Sequence, residues 1–334
     1  LRSLVGSEMC IRDRSRVIYR ELISLSPILR RILDASSNIL VEKEQEIKLI
    51  VASLLARGHV LIEGVPGVAK TLTAKVISRL TGLDFKRVQM TPDLLPSDII
   101  GGYVYDQRTG AFTLKKGPIF TNILFVDELN RASPRTQSAL LEAMQERQVT
   151  IEGNTYVLEE PFMVIATQNP IETEGIFPLP ESQLDRFLVK IESSYPSTKG
   201  FIDIMKRADF IEEASRELKP VLSKEEILRA SKEASEVVVD DSIYQYIARI
   251  IEETRMHKLL RLGASPRAGI AIIRLSKAWA YLDGRKYVIP DDVKAIAIPA
   301  LRHRLILKPE YEIEGGDPVA IVKEILGRVE VPRP

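Results

Sequence analysis

Apolar residues follow two rhythms along this chain, and the mixture changes once. Up to about residue 195, short apolar runs bounded by glycine or polar residues alternate with stretches of helical spacing. "HVLIEG" is a short apolar strand running into a glycine-rich turn, and the following "KTLTAKVISRL" has helical spacing through Leu72, Val76, Ile77 and Leu80. "FKRVQM" predicts a second strand, and "GPIFTNILFVDE" carries a buried-strand run from Ile123 to Val126 that ends in two acids. "SPRTQSALLEAMQE" predicts a helix with Ser133 as its cap and Pro134 at its first position. "VTIEGNTYVL" predicts a hairpin turning at Gly153-Asn154, and "PFMVIATQNP" another strand. The stretch from about Ser15 to Leu55 is helical, in two or three pieces.

After Tyr195-Pro196-Ser197 the strand signals stop. "LSKEEIL" offers a capping box from Ser223 to Glu226. Ile243, Ile247, Ile250 and Ile251 form one helical stripe; Ile270, Ile273 and Leu282 belong to a second, and Val293, Ile296, Ala300 and Leu301 to a third. Strands alternating with helices imply a parallel sheet covered by helices. The pattern therefore predicts an α/β domain over residues 15–195 and a small all-helical domain over 196–334.

Composition changes this picture little. The 334 residues are 45% hydrophobic and 28% charged, with a formal net charge of +1, so bulk charge argues for neither nucleic acid nor an acidic membrane surface. No apolar run reaches the length of a membrane span and there is no secretory apolar segment, which points to the cytoplasm. Residues 4–13, "LVGSEMCIRD", resemble one translated frame of a sequencing-library adapter, and residues 1–14 are set aside as a non-native leader. Cys10, the sole cysteine, goes with them, which removes any disulfide, thiolate nucleophile or cysteine metal site.

The candidate chemistry begins at "GVPGVAKT", residues 64–71: Gly64, Val65, Pro66, Gly67, Val68, Ala69, Lys70 and Thr71. It follows a strand and opens a helix, where backbone N–H groups attract phosphate. Gly64 and Gly67 permit a tight turn and close approach, Lys70 would reach the β and γ phosphates, and the Thr71 hydroxyl would ligate Mg²⁺. The usual pattern has glycine where Ala69 stands; alanine is harmless there unless the residue needs a positive φ. The strand "ILFVDE" delivers Asp127, which could hold Mg²⁺ through water, and Glu128, which could orient or activate the attacking water. "VIATQNP" ends in Thr167, Gln168 and Asn169; a strand-tip amide could hold the water, although Asn169 before Pro170 reads equally as turn chemistry. Arg186, in "LPESQLDRF", and Arg267, in "GASPRAG", read from spacing alone as ordinary surface arginines. Arg267 nevertheless falls in the first turn of a helix capped by Ser265-Pro266, where a cation opposes the helix dipole and a phosphate would suit it.

Taken in order, "GVPGVAKT", "TPDLLPSDIIGG", "GPIFTNILFVDELNRASPRTQSALLEAMQE", "VTIEGNTYVL", "VIATQNPIETEGIFPLPESQLDRF" and "GASPRA" resemble the AAA+ ATPases, and among them the MoxR family, over nearly the whole chain after the leader. That family commonly carries alanine before the loop lysine, which favours nucleotide binding here. The resemblance implies Walker A at Lys70 and Thr71, Walker B at Asp127 and Glu128, sensor 1 at Asn169, an arginine finger acting on the neighbouring subunit at Arg186, and sensor 2 at Arg267 acting within its own subunit. It implies ATP and Mg²⁺, a homo-oligomeric ring, usually a hexamer, and two hairpin insertions, one at "GGYVYDQRTGAFTL" and one at "VTIEGNTYVL". It also implies chaperone-like remodelling of client complexes, often with a partner bearing a von Willebrand factor A domain. Where the family has a Gly-Gln pair before the first core helix, this chain has Glu42-Lys43-Glu44-Gln45, which leaves the adenine contacts open.

Three other functions fit less well. A metal-chelatase motor subunit shares the two-hairpin core. A nucleic-acid motor would want a basic cluster, and the hairpins offer only Lys115-Lys116. A nucleotide switch without hydrolysis would not need Glu128 and Arg186.

Overall fold

The computed structural model describes residues 25–108, 110–171 and 175–332. The leader expectation for residues 1–14 and Cys10 lies outside them.

Helix α1 (Pro27–Ser36) and α2 (Glu44–Leu55) precede β1 (Val60–Glu63) and α3 (Lys70–Leu80). Then come β2 (Phe85–Gln89), α4 (Pro96–Ile100), a hairpin of β3 (Gly101–Asp106) and β4 (Ala111–Lys116), and β5 (Ile123–Asp127). Helix α5 (Pro134–Glu146), a second hairpin of β6 (Gln148–Ile151) and β7 (Asn154–Val157), β8 (Met163–Gln168), the short α6 (Glu181–Leu184) and β9 (Val189–Glu192) follow. Beyond β9 lie α7 (Thr198–Lys206), α8 (Ala208–Glu217), α9 (Lys224–Ser235), α10 (Asp241–Met256), β10 (Leu260–Leu262), α11 (Pro266–Leu282), α12 (Pro290–Leu301), β11 (Ile306–Leu307), α13 (Pro309–Ile313) and α14 (Pro318–Arg328).

Five strands pair in the order β2-β5-β8-β1-β9, all parallel. Both faces are covered, so the central strands read as unbroken apolar runs and not as alternating ones. Ile123, Phe125, Met163 and Ile165 face one core, shared with α1 to α3 and the helices after β9. Leu124, Val126, Val164 and Ala166 face the other, under α5 and the hairpins. The hydroxyls of Tyr103 on β3 and Tyr156 on β7 meet at 2.8 Å, joining the two hairpins.

Two of the three predicted caps hold: Ser133 accepts from the Thr136 N–H, and Ser223 and Glu226 form the capping box, whereas Ser265 stands at the N-cap of α11 but its hydroxyl makes no capping hydrogen bond. Three expectations shift. The second hairpin turns at Glu152-Gly153, not Gly153-Asn154, because Ile151 pairs with Asn154; both turn residues have positive φ (47° and 80°), the geometry whose twist matches two antiparallel strands. Strands do not vanish after residue 195: β10 and β11 form a small antiparallel pair too short to show an alternating pattern. On α11 the buried stripe runs through Ala268, Ala271, Ile272, Leu275 and Trp279, and Ile270 is exposed, because alanines supply half of the packing face and hide its period.

His59, just before β1, lies buried against the end of α5 and the start of β8. Its Nε2–H donates to the Met144 carbonyl at 2.9 Å, and Nδ1 accepts the Val164 N–H at 3.0 Å, an arrangement open only to the neutral ring. Burial pushes its pKa down to about 4, the Met144 carbonyl opposing and Arg147 adding. Below pH 6.5 the unfolded chain takes a proton that the folded chain refuses, so stability falls as pH drops from 6.5 toward 4, by about 3 kcal/mol from this group. Urea unfolding at pH 7 and pH 4.5 checks this: His59→Gln should lose clearly less stability than the parent between the two, and equal losses would exclude His59 as the cause.

Candidate active site

Parallel strands end together, and the sheet uses this. The loop after β1, the acids closing β5 and the polar tip of β8 come out at one edge, around a cleft of about 450 Å³. Pro66, Gly67, Val68, Ala69, Lys70, Thr71, Asp127, Glu128 and Asn169 line it. Gly64 and Val65 support the loop from behind: their carbonyls accept from the Lys70 ammonium. A Cβ on Gly64 would lie 2.4 Å from the Ser193 carbonyl beyond β9, so only glycine lets the two strands approach here.

Ala69 departs from the harmless case. Its φ is +63°, left-handed, so the helix start that presents N–H groups to the cleft is bought with strain that glycine would avoid. Glu128 is left-handed too, at φ +56°. Non-glycine residues in this region concentrate at functional sites, where the surrounding structure holds them. Thr167 is what holds Glu128: its hydroxyl accepts the Glu128 N–H at 2.9 Å and donates to Asp127 Oδ1 at 2.8 Å. From β2, Arg87 reaches Asp127 Oδ2 at 2.7 Å and Gln89 reaches Glu128 Oε2 at 2.7 Å; Arg131 meets that same oxygen at 3.0 Å. Asn169 is buried and lines the cleft, and its Oδ1 accepts the Ile171 N–H at 3.3 Å, the turn chemistry expected before Pro170. Thr167, Arg87, Gln89 and Arg131 were not predicted as site residues. Arg87 and Gln89 sit two apart, on one face of a strand, but only the pairing of Gln89 with Asp127 brings them to the acids.

Arg186 and Arg267 lie elsewhere. They line a second cavity with Gly58 and His59, at the start of β1, whereas the phosphate loop leaves its end. The four residues of β1 put about 13 Å between the two ends. The structure therefore does not bring Arg267 to the loop of its own chain, as action within its own subunit would require. Its helix, α11, is fixed at the opposite edge of the sheet. There Asp185 joins the pieces: it accepts from Arg304 Nε at 2.6 Å, lies 3.6 Å from Arg267, and directly precedes Arg186. Burial lowers the Arg304 pKa and Asp185 opposes that shift; the Arg304 guanidinium also donates to the Phe187 carbonyl at 2.7 Å. His303 adds a 3.0 Å bond to the same carbonyl.

The profile of the ATPase family associated with various cellular activities matches residues 59–189, and that of the AAA lid domain matches 252–325. A Mycobacterium tuberculosis protein named Chaperone MoxR1 is 41% identical over 314 residues, 91% of this chain and 82% of that one. The chain belongs to the MoxR family of AAA+ ATPases. The YeaC protein of Bacillus subtilis is 46% identical over 317 residues, 94% of this chain and 97% of that one. A crystal structure from Cytophaga hutchinsonii superposes with a TM-score of 0.85 at 38% identity, covering 98% of this chain and 99% of that one. No helix among the described residues is long and apolar enough to cross a membrane.

Ala69→Gly should relieve the left-handed strain while adding some chain entropy to the unfolded state, for a net gain of up to about 1 kcal/mol. Urea midpoints check this, with ATP affinity kept; a lower midpoint would mean that the methyl group makes a contact worth more than the strain.

Proposed function

We propose that this chain hydrolyses ATP at sites completed between two copies of itself in a ring, and uses the cycle to remodel client proteins. The observation that carries the reading is the separation of the two halves of the site: loop and acids at one edge of the sheet, Arg186 and Arg267 at the other. A repeated head-to-tail contact brings one copy's arginines onto the next copy's loop, and such contacts close into rings. The family resemblance favours a hexamer.

Within one copy, the N–H groups opening α3 and the Lys70 ammonium hold the β and γ phosphates. Glu128 orients and activates the attacking water, with the Asn169 amide as a second anchor, and Thr167 keeps the Glu128 backbone in place. The donors suit Mg²⁺: Thr71 and Asp127 offer a hydroxyl and a carboxylate, and the described residues hold no cluster of three or more His, Cys, Asp or Glu. Mg²⁺ is commonly held in this way, by one or two carboxylates plus phosphates and water. It would supply neutralisation of phosphate charge; Asp127, hydrogen-bonded by Thr167, would meet it through water. Arg186 and Arg267 then neutralise charge on the neighbour's γ-phosphate.

The name of the mycobacterial relative supports a chaperone role. The family resemblance adds a partner with a von Willebrand factor A domain, which a pull-down with the Glu128→Gln trap would test.

Lys70→Ala should lose ATP binding, whereas Glu128→Gln should bind and fail to turn over; equal loss of affinity in both would refute this division of roles. Arg186→Ala and Arg267→Ala should each bind ATP and hydrolyse it at least about 10³-fold more slowly. Mixed with Lys70→Ala after subunit exchange, each should recover activity, because about one interface in four then joins an intact loop to intact arginines. The two arginine variants mixed together should not recover, since every interface lacks one arginine. A flat profile for the Arg267→Ala and Lys70→Ala mixture would return Arg267 to its own subunit.

A further inference from the structure

A groove of about 560 Å³ lies beside the arginine cavity, between the end of α2, helix α9 and helix α11. It shares Arg57, Arg147 and Arg274 with that cavity but contains neither Arg186 nor Arg267. Its size falls within the range of small-molecule sites. Every charged residue lining it is a cation: Arg57, Arg147, Lys232, Arg274 and Lys277. Its floor is apolar, built by Leu55, Ala56, Ile273 and Ala278.

The cations are poorly compensated. Glu160, outside the groove, meets Arg57 at 3.3 Å and Arg147 at 3.8 Å. Among the described residues, Lys277 donates only to the Ser235 carbonyl, at 2.9 Å. Among the described residues no carboxylate lies within ion-pair distance of Lys232, Arg274 or Lys277. Arg147 is pressed hardest: burial lowers its pKa, Glu160 opposes the shift, and repulsion from Arg57 and Arg274 adds to it. Holding five cations around one groove of this size costs Coulomb energy that a bound polyanion would recover. Phosphates answer such cations, and arginine binds them with two parallel hydrogen bonds. The apolar floor suits an organic ring attached to those phosphates.

We infer that this groove is a second nucleotide site, taking a nucleoside di- or triphosphate with its phosphates on Arg147, Lys232, Arg274 and Lys277 and its base on the Leu55–Ile273 floor. It is separate from the phosphate loop, and its ligand would alter the field on Arg186 and Arg267 through the shared arginines.

The test uses the full chain carrying Lys70→Ala, which silences the loop, and titrates it calorimetrically with ATP, GTP and inorganic pyrophosphate. One nucleotide should bind per chain, at least tenfold more tightly than pyrophosphate and more weakly as salt rises. Adding Lys232→Glu and Lys277→Glu should weaken this binding at least tenfold. The same two changes with Lys70 intact should leave ATP binding at the loop and the melting temperature in place, which checks folding. Three results would overturn the inference: no saturable binding to the Lys70→Ala chain; binding that survives both lysine reversals, which would instead mean that the loop still binds without Lys70; or pyrophosphate binding as tightly as nucleotide. Ring loss in the lysine variant without nucleotide binding to the Lys70→Ala chain would also overturn it, and would assign the groove to an acidic surface of the neighbouring copy.

Discussion

A parallel sheet has polarity, and that constraint governs this molecule. Because β1, β5 and β8 all run the same way, whatever follows them emerges at one edge, and whatever precedes them is left at the other. The phosphate loop, Asp127, Glu128 and Asn169 follow strands. His59 and Arg186 precede them, and α11 is docked at that same edge. Within one chain the length of a strand separates the two sets of groups, and the function proposed above joins them between copies.

At the phosphate edge the backbone is held in unfavourable conformations at two points, Ala69 and Glu128. Both lie where a strand hands over to a helix or turn, and the local cost positions the groups that matter. At Glu128 the compensation is visible: one hydroxyl, that of Thr167, bonds both the backbone of Glu128 and the side chain of Asp127, and so sets the spacing of the acids. The neighbouring strand adds Arg87 and Gln89, which hold the carboxylates by their outer oxygens.

Much of this was legible in the sequence, for identifiable reasons. The buried run Ile123–Val126, the glycines of the loop and the caps Ser133 and Ser223 are local signals, and each held. What could not be read depends on which distant segments lie side by side. The pairing of Gln89 with Asp127 needs the strand order, and the meeting of Arg186 with Arg267 needs the docking of α11, fixed by Arg304 and Asp185 across more than a hundred residues of chain. The positive φ of Ala69 is not written in the loop's residue types, since composition does not reveal a dihedral. On α11 the alanine-rich packing face carries almost no periodic signal, so the large residue Ile270 misled.

The bond between Asp185 and Arg304 has a mechanical consequence. Asp185 belongs to the segment entering β9, and Arg304 follows α12; their bond, with those to the Phe187 and Leu188 carbonyls, welds the terminal helices to the sheet. Arg186 sits on one side of that weld and Arg267 on the other, so they stand like two prongs of one plug with a fixed gap. A plug of this kind enters or leaves its socket whole. In the ring proposed above, movement during turnover would then belong to entire subunits tilting against one another, and the work of the cycle would be delivered at the seams between them.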